Sequence, residues 1–286
     1  MNQQTIKKST YVSGIGLHTG KTVDLTLHPA PKNTGLVFRR TDLDPIVTIP
    51  ATTQQVSDTR LNTCLSHAGA SVATVEHLLS ALSGLWIDNV FIDLNSAEPP
   101  VLDGSALPFV TLIQSVGILE QAAPKQFIRI KQKIRVQEDE KFIELRPYQG
   151  FKMAMTIDFQ HPVIMQTQQS LSIELSPTTY TEQLSYARTF GFLAEYEQLK
   201  QHHLGLGASL ENTLVLDDTT LLNEGGLRDN AEFVKHKLLD AIGDLSLLGH
   251  HLMGEFIGYK SGHTLNHQLR LALLNDPSAW DFIDYP

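Results

Sequence analysis

One pattern occurs twice in this chain, and it constrains the fold more than any other feature. A stretch with the apolar spacing of a helix carries a histidine near its start and a glycine seven residues later: His77 with Gly84, and His236 with Gly243. A strand pattern and a second helix pattern follow each copy. The repeat predicts an α+β fold of two similar domains, each with two helices packed on a β-sheet. A chance match of two amphipathic helices, and a single α+β domain with a long insertion, remain as alternatives.

Hydrophobic periodicity predicts the order of elements in both halves. The first half is expected to contain strands over 10–20 and 21–29, a helix over 72–85, a strand over 87–94 and a helix over 107–119. The second half is expected to contain strands over 127–136, 141–147 and 151–159, a helix over 232–248, a strand over 255–262 and a helix over 263–276. The short polar segment 120–126 is interpreted as a linker, so the predicted domains are 1–123 and 124–286.

Composition excludes several classes of protein. The 286 residues carry a net charge of −9, which argues against nucleic-acid binding because such proteins need a basic face. No run approaches about 18 apolar residues, so no membrane-spanning helix is expected, and the N-terminal residues lack the apolar core of a secretory signal. Cys64 is the single cysteine and cannot form an internal disulfide. We therefore expect a cytoplasmic monomer in which histidine, aspartate and glutamate are the ligands of any metal.

The repeated helices carry residues that suit a metal site. His236 and Asp240 are four residues apart, so their side chains share one helical face, and His77 lies on the matching helix of the other half. Two histidines and a carboxylate form a three-ligand set for zinc, although such a set also takes Fe(II). Asp240 lies near a core-facing stripe and needs a partner, for which an ion pair with Lys237 is the alternative. Glu76 precedes His77, an adjacency also found in the HExxH pattern, where the glutamate is a general base.

A second cluster lies at the end of a predicted strand. Lys260, Gly262 and His263 fall within four residues, and the glycine permits a sharp turn that would place the histidine as an acid or base. Asp244, one helical turn beyond Asp240, could accept a hydrogen bond from His263 and keep it charged. A solvent-exposed histidine is the alternative.

Seven segments in order resemble one family, the UDP-3-O-acyl-N-acetylglucosamine deacetylases, which are zinc amidases of lipid A synthesis. The resemblance runs from about Tyr11 to the C-terminal helix. The segments are SGIGLHTGK, VEHLLSALSGLWIDNVFIDL, EPPVLDGSA, IDFQHPVI, ARTFGF, EFVKHKLLDAIGDL and YKSGHTLN. It implies two domains of similar fold with the active site between them, and a small inserted β-α-β segment, roughly 190–216, that forms an apolar passage for the fatty acyl chain.

The resemblance also implies roles for individual residues. The zinc ligands would be His77, His236 and Asp240, with Glu76 as the base. Thr189 would stand by the oxyanion, and His263, with Asp244 behind it, would be the cationic stabiliser or acid. The substrate side is implied to comprise Lys237 and, by looser analogy, Lys141 and Lys260 towards the phosphates, Phe159 near the uracil, and Phe190, Phe192, Ala208 and Ser209 towards the acyl chain. The family usually has glycine where this chain has Ala208.

The implied reaction is zinc-dependent removal of the N-acetyl group from UDP-3-O-(3-hydroxyacyl)-N-acetylglucosamine, the committed step of lipid A biosynthesis. A different zinc amidase or peptidase is the alternative among enzymes, and a non-catalytic metal or nucleotide sensor is the alternative from another class. Glu76 and His263 favour an enzyme, since a sensor needs neither. The lysines with Phe159 favour a phosphorylated ligand. Whether Glu76 or His263 protonates the leaving amine stays open.

Overall fold

A computed structural model describes residues 1–284, in which two large sheets of five and seven strands carry the helices and three small sheets of two or three strands accompany them. The first half contains β1 Asn2–Ile6, β2 Thr10–Ile15, β3 Thr22–Pro29, β4 Leu36–Arg40, β5 Val47–Pro50, a 3₁₀ turn Thr53–Gln55, β6 Val56–Asp58, β7 Cys64–His67, β8 Ala70–Val72, α1 Glu76–Gly84, β9 Val90–Leu94, α2 Leu107–Val116 and β10 Ile118–Pro124. The second half contains β11 Gln126–Ile130, β12 Ile134–Glu138, β13 Lys141–Arg146, β14 Phe151–Thr156, α3 Pro162–Met165, β15 Ser170–Glu174, α4 Pro177–Thr179, a π-helical turn Tyr180–Leu184, β16 Phe190–Phe192, α5 Leu193–Gln201, β17 Leu214–Leu216, α6 Glu232–Ser246, β18 His251–Tyr259, α7 His263–Leu274 and β19 Trp280–Asp284.

Strand order confirms the predicted duplication. The first sheet runs β2-β3-β9-β4-β5, with β4 and β9 parallel and the other neighbours antiparallel. The second sheet contains the same series, β12-β13-β18-β14-β15, with β14 and β18 parallel and the others antiparallel. The strands β11 and β19 extend it beside the first residues of β18. Each unit therefore follows one topology, with α1 and α2 in the first and α6 and α7 in the second.

The two units meet where α1 packs against α6. A β-carbon at Gly243 of α6 would collide with the carbonyl oxygen of Glu76, so the first turn of α1 lies directly on the middle of α6. The equivalent glycine of α1, Gly84, lies against the ring of Tyr180. Both glycines of the repeated pattern are therefore required by close packing. In α1 the glycine is also the last helical residue, as the sequence predicts.

The segment interpreted as a linker is a strand. Residues 118–124 form β10, which pairs antiparallel with β1, so the polar side chains of this segment belong to a two-stranded ribbon. The next residue, Lys125, is fully buried. Its Nζ donates to the carbonyl oxygen of Trp86 at 2.6 Å and lies 3.1 Å from Asp88 Oδ2. The domain boundary at 123/124 stays a prediction.

The turn before His263 also differs from expectation. Lys260, and not Gly262, adopts the left-handed conformation, with φ of 51°, whereas Gly262 is extended with φ of −159°. His263 is then the first residue of α7. The predicted helices are present with ends up to four residues shorter, and the predicted β-α-β insert is present as β16, α5 and β17, in which the two strands pair in parallel. Within residues 1–284, no helix combines the length and apolarity needed to cross a membrane.

Candidate metal centre and active site

The α1–α6 contact brings the three predicted metal ligands together. His77, His236 and Asp240 are 5%, 2% and 4% exposed. Asp240 Oδ1 lies 3.3 Å from His236 Nε2 and 3.5 Å from His77 Nε2. Each of the three offers one possible ligand atom, and these atoms all lie within 4.8 Å of one another. Among residues 1–284, this is the one group of three or more His, Cys, Asp or Glu side chains that could hold a metal ion. Each half of the duplicated fold thus contributes to one site.

The chemistry of this group fits a cation. Asp240 Oδ1 is buried and has no hydrogen-bond partner within the described part of the chain, a costly arrangement unless a positive charge faces it. His236 Nδ1 donates to the carbonyl oxygen of Ala187 at 3.0 Å. In the neutral ring, Nε2 therefore carries the lone pair, on the side that faces Asp240, where it could bind a metal ion. Burial lowers the pKa of His236 to about 4, so the imidazole is neutral at pH 7. A neutral imidazole and an ionised carboxylate are the forms that bind metal.

The alternative partner for Asp240 is present as well. Lys237 Nζ donates to the second oxygen of this carboxylate, Oδ2, at 2.6 Å. Burial opposes the charge of Lys237, but the Asp240 carboxylate outweighs it and raises the pKa of the lysine. Because the ion pair uses Oδ2 and leaves Oδ1 free to face the histidines, the ion pair and the metal site are compatible.

Glu76 is the first residue of α1. It lies beside the cluster of His77, His236 and Asp240, which we call the ligand group. Its side chain is buried, with Oε2 accepting a hydrogen bond from the backbone N–H of Thr63 at 3.1 Å. Its other oxygen, Oε1, lies 3.9 Å from His263 Nε2. Burial raises the pKa of Glu76, which brings the carboxyl group closer to the range in which it exchanges a proton near neutral pH.

The predicted hydrogen bond between His263 and Asp244 is present. His263 Nδ1 donates to Asp244 Oδ2 at 2.8 Å, and the same carboxylate accepts from Asn266 Nδ2 at 2.7 Å and from Thr63 Oγ1 at 2.5 Å. Burial alone would lower the pKa of His263, but the Asp244 charge outweighs it and raises this pKa to about 9. The imidazolium form therefore predominates at pH 7.

Changing Asp244 to asparagine is expected to shift the pH dependence of turnover. Without the Asp244 carboxylate, the Glu76 charge alone opposes burial, so the pKa of His263 falls and a smaller fraction of the ring is charged at pH 7.5. If His263 is the cationic stabiliser that the resemblance implies, we expect kcat at pH 7.5 to fall about 10²-fold, the scale for loss of one oxyanion donor, and the alkaline limb to move to lower pH. The raised pKa also means that the folded chain binds the proton of His263 more tightly than the unfolded chain does. This contribution to stability is fully present below about pH 6.5 and is lost as pH rises through about 9. pH–rate profiles, with the surface variant Asp281→Asn as control, measure this, and an unshifted alkaline limb would contradict it.

Two adjoining cavities contain most of the predicted site residues. A cavity of about 280 Å³ surrounds the ligand group. The predicted residues that line it are Glu76, His77, Phe159, Thr189, Phe190, Phe192, His236, Lys237, Asp240 and His263. A second, mostly apolar cavity of about 440 Å³ is lined by the insert, including Ala208 and Ser209, and it shares Thr189, Phe190 and Phe192 with the first. Asp244 lies behind His263, as predicted.

Two predicted lysines lie outside this lining. Lys260 Nζ lies 2.8 Å from Asp158 Oδ2 and 2.8 Å from Glu140 Oε1, and the hydrogen bonds that it donates to these carboxylates raise its pKa. Its charge is thus already paired within the protein. Lys141 is exposed at the start of β13, one residue from Glu140. A phosphate contact by either lysine stays a prediction, and for Lys260 it requires an exchange of partners.

Sequence reasoning missed His18, which lines both cavities. The backbone N–H of Gly205 donates to its Nδ1 at 3.3 Å, which places the proton of the neutral ring on Nε2. Burial lowers the pKa of His18, in keeping with a neutral ring. The segment SGIGLHTGK contains this residue, but a single histidine among glycines has no partner at helical spacing to mark it.

A metal-dependent hydrolase needs a cation site and, beside it, a carboxylate that can take a proton. The buried group of two histidines and an aspartate, with Glu76 next to it at the contact of two similar α+β units, meets this need, and the fold and site together define that class of protein. Comparison with known proteins identifies the family. The family model described as UDP-3-O-acyl N-acetylglycosamine deacetylase matches residues 3–275, and the chain belongs to this family.

Curated relatives agree over the whole chain, and each is named UDP-3-O-acyl-N-acetylglucosamine deacetylase. A protein of Coxiella burnetii is 54% identical over 285 residues, which is 100% of this chain and 94% of the relative. Proteins of Chromohalobacter salexigens and Hahella chejuensis are 55% and 53% identical, with the same shares of each chain covered.

Proposed function

We propose that the chain hydrolyses the N-acetyl group of UDP-3-O-(3-hydroxyacyl)-N-acetylglucosamine, giving UDP-3-O-(3-hydroxyacyl)-glucosamine and acetate, the committed step of lipid A biosynthesis. The observation that carries this proposal is the junction of the two cavities. The polar cavity holds the ligand group and Glu76, and the apolar cavity of about 440 Å³ opens beside it. An amide on a sugar that also bears a fatty acyl chain fits this pair of cavities, and the names of the relatives support it.

His77, His236 and Asp240 are proposed to hold Zn²⁺, with Fe²⁺ as the alternative ion. Two imidazole nitrogens and one carboxylate oxygen suit either ion, and elemental analysis of the purified protein distinguishes them. A divalent metal bound there would polarise the acetyl carbonyl and lower the pKa of a water molecule.

The protein's own groups are then proposed to manage protons and charge. Glu76, buried and with a raised pKa, takes a proton from the water molecule that attacks the acetyl carbonyl. The imidazolium of His263 and the hydroxyl of Thr189 stabilise the negative charge that develops on the carbonyl oxygen. The amine must leave protonated, and Glu76 and His263 both face the cavity with a transferable proton. Their separation of 3.9 Å lets the two groups act as one titrating pair.

The remaining groups are assigned to the ends of the substrate. Phe190 and Phe192, which line both cavities, would contact the first part of the acyl chain, and Ala208 and Ser209 would contact it further along. Phe159 packs on both phenylalanines, with ring centroids 5.5 and 5.9 Å away, and is proposed to lie near the uracil. Lys237 is proposed to face the phosphate side from its place beside Asp240, with Lys260 and Lys141 further out.

Ala208 is expected to limit acyl length. Ala208 is one of the residues that line the apolar cavity. Extra substrate carbons against a filled wall cost about 1–3 kcal/mol, whereas each methylene that fits gains about 0.8 kcal/mol. We expect a preference for chains somewhat shorter than fourteen carbons, and Ala208→Gly should shift it towards longer ones. The measurement is kcat/KM across a series of acyl lengths for both proteins. Identical length profiles would show that Ala208 does not set the limit.

Turnover of the acetylated nucleotide sugar, with and without a chelator, tests the proposed function. Release of acetate that stops on chelation and returns with Zn²⁺ is expected. A different amidase or peptidase would leave this substrate intact. A sensor would bind it without releasing acetate.

Three further assignments belong to the same proposal. The nucleotide-sugar substrate supports a cytoplasmic location. The monomeric state is tested by measuring the molecular mass in solution. The division into domains 1–123 and 124–286 is supported by the repeated strand order and is tested by expressing each half alone.

A further inference from the structure

Glu98 is a fully buried carboxylate outside the residues assigned above. Its two oxygens accept hydrogen bonds from three groups: the backbone N–H of His18 at 3.0 and 3.1 Å, the backbone N–H of Thr19 at 3.0 Å, and Thr74 Oγ1 at 2.7 Å. Within residues 1–284, no lysine or arginine forms an ion pair with it. These donors must therefore compensate the buried charge, and a carboxylate held this way fixes the segments that supply them.

One of the segments that supply these donors contains Thr74 and leads directly into α1. Thr74 is buried and has φ of 51°, a left-handed conformation that is a genuine outlier for a β-branched residue. Such a conformation persists only where surrounding contacts impose it. Two residues later, α1 begins with Glu76 and His77. The hydrogen bond from Thr74 Oγ1 to Glu98 thus holds the strained residue that sets the direction of the first turn of α1.

The second segment is the loop 16–20, which carries His18. A β-carbon at Gly16 would collide with Glu98, so the loop backbone passes directly over the carboxylate. The same loop holds the insert. The N–H of Leu206 donates to the carbonyl oxygen of His18 at 3.2 Å, and the N–H of Gly207 donates to that of Leu17 at 3.0 Å. One wall of the apolar cavity therefore depends on the loop that Glu98 fixes.

We propose that Glu98 is a positioning residue that fixes the start of α1 and the loop 16–20 relative to each other. In this arrangement Glu76 and His77 face the polar cavity while His18 and the insert shape the apolar one. This inference rests on the proposed deacetylase function for its kinetic consequences. Its consequence for metal binding does not depend on the substrate.

The variant Glu98→Gln keeps the shape of the side chain but turns one acceptor into a donor that faces N–H or O–H groups. We expect kcat to fall at least about tenfold and metal, measured by competition with a chelator, to bind about tenfold more weakly, the lower end of the effect of removing an outer-shell contact. We also expect the preference among acyl lengths to flatten, because the loop no longer holds the insert. The control is Glu144→Gln, which alters an equally buried carboxylate on β13 away from the cavities.

Variants of Thr74 separate the two effects and do not require Glu98→Gln to fold. Thr74→Val keeps the strained, β-branched residue but removes its hydroxyl, so kcat and metal affinity should fall while the acyl-length profile stays unchanged. Thr74→Ser keeps the hydroxyl and should resemble the parent. Thr74→Gly adopts φ above zero without strain. Added to Glu98→Gln, it should restore metal affinity but not the acyl-length profile.

The outcomes distinguish this inference from the proposed function. If Glu98→Gln matches Glu144→Gln in metal affinity, kcat and acyl-length profile and lowers only Tm, the positioning role is wrong. If Thr74→Val binds metal as tightly as the parent, the role through Thr74 is wrong. If the parent protein fails to deacetylate the nucleotide sugar while Glu98→Gln still weakens metal binding, the proposed function fails and the positioning role stands.

Discussion

Replacing Asp240 by alanine is expected to give a folded protein that retains no metal after dialysis and shows no acetate release above the level of the buffer. Asp240 is the carboxylate of the proposed three-ligand set, and its Oδ1 faces both histidines with no other partner in the described chain. His77→Ala and His236→Ala should have the same effect because the group contains no spare ligand. Metal content by elemental analysis is the measurement.

The controls for this prediction use residues of the same type. His28→Ala removes a half-exposed histidine on β3 that pairs with Asp93, and it should keep full metal content and activity. Asp240→Ala also leaves the Lys237 ammonium without its partner, which by itself destabilises a buried site. His236→Ala leaves the Ala187 carbonyl oxygen without its donor but leaves no charged group without its partner, so it is the cleaner test. Full metal content in any one of the three variants would remove that residue from the ligand set.

Replacing Glu76 by glutamine is expected to separate catalysis from metal binding. The amide oxygen can still accept the hydrogen bond from the Thr63 N–H, so the start of α1 and the position of His77 should be preserved. The amide cannot take a proton, and loss of a general base typically lowers kcat by about 10²–10⁴-fold. Equal metal content together with this loss of kcat is the expected result.

Glu144→Gln serves again as the matched control, since it neutralises a buried carboxylate away from the cavities. It should retain the parent's kcat. A Glu76→Gln protein that lacks metal would show that Glu76 is a ligand or a support for one. A Glu76→Gln protein with normal kcat would show that Glu76 is not the general base.

The proximity of the three proposed ligands was predictable because residue spacing along a helix determines which side chains share a face. Residues four apart on a helix share a face, so His236 and Asp240 could be paired from the sequence, and the repeated pattern linked His77 to them. The duplication was predictable for the same reason. The close approach of α1 to α6 could not be predicted from the sequence. It depends on Gly243 lying against the Glu76 carbonyl, a contact between distant parts of the chain that the residue spacing within a single helix does not reveal.

Other features were missed because their cause is tertiary. The turn before His263 places its left-handed residue at Lys260, although glycine is the residue that local preference selects for such a conformation. Lys260 is held there between Asp158 and Glu140, which lie on separate segments of the chain. The positioning role proposed for Glu98 likewise depends on its hydrogen bonds with His18 and Thr74, which are 80 and 24 residues away in the sequence.

The division of the proposed metal ligands between the two halves has a thermodynamic consequence. His77 belongs to the first unit, and His236 and Asp240 belong to the second, so an ion that binds all three also ties the units together. By linkage, metal at 100 times its Kd stabilises the assembled chain by about 2.7 kcal/mol relative to any state in which the halves separate. Removing the metal should therefore raise amide hydrogen exchange first along the α1–α6 contact, while the interior strands β9 and β18 keep their protection.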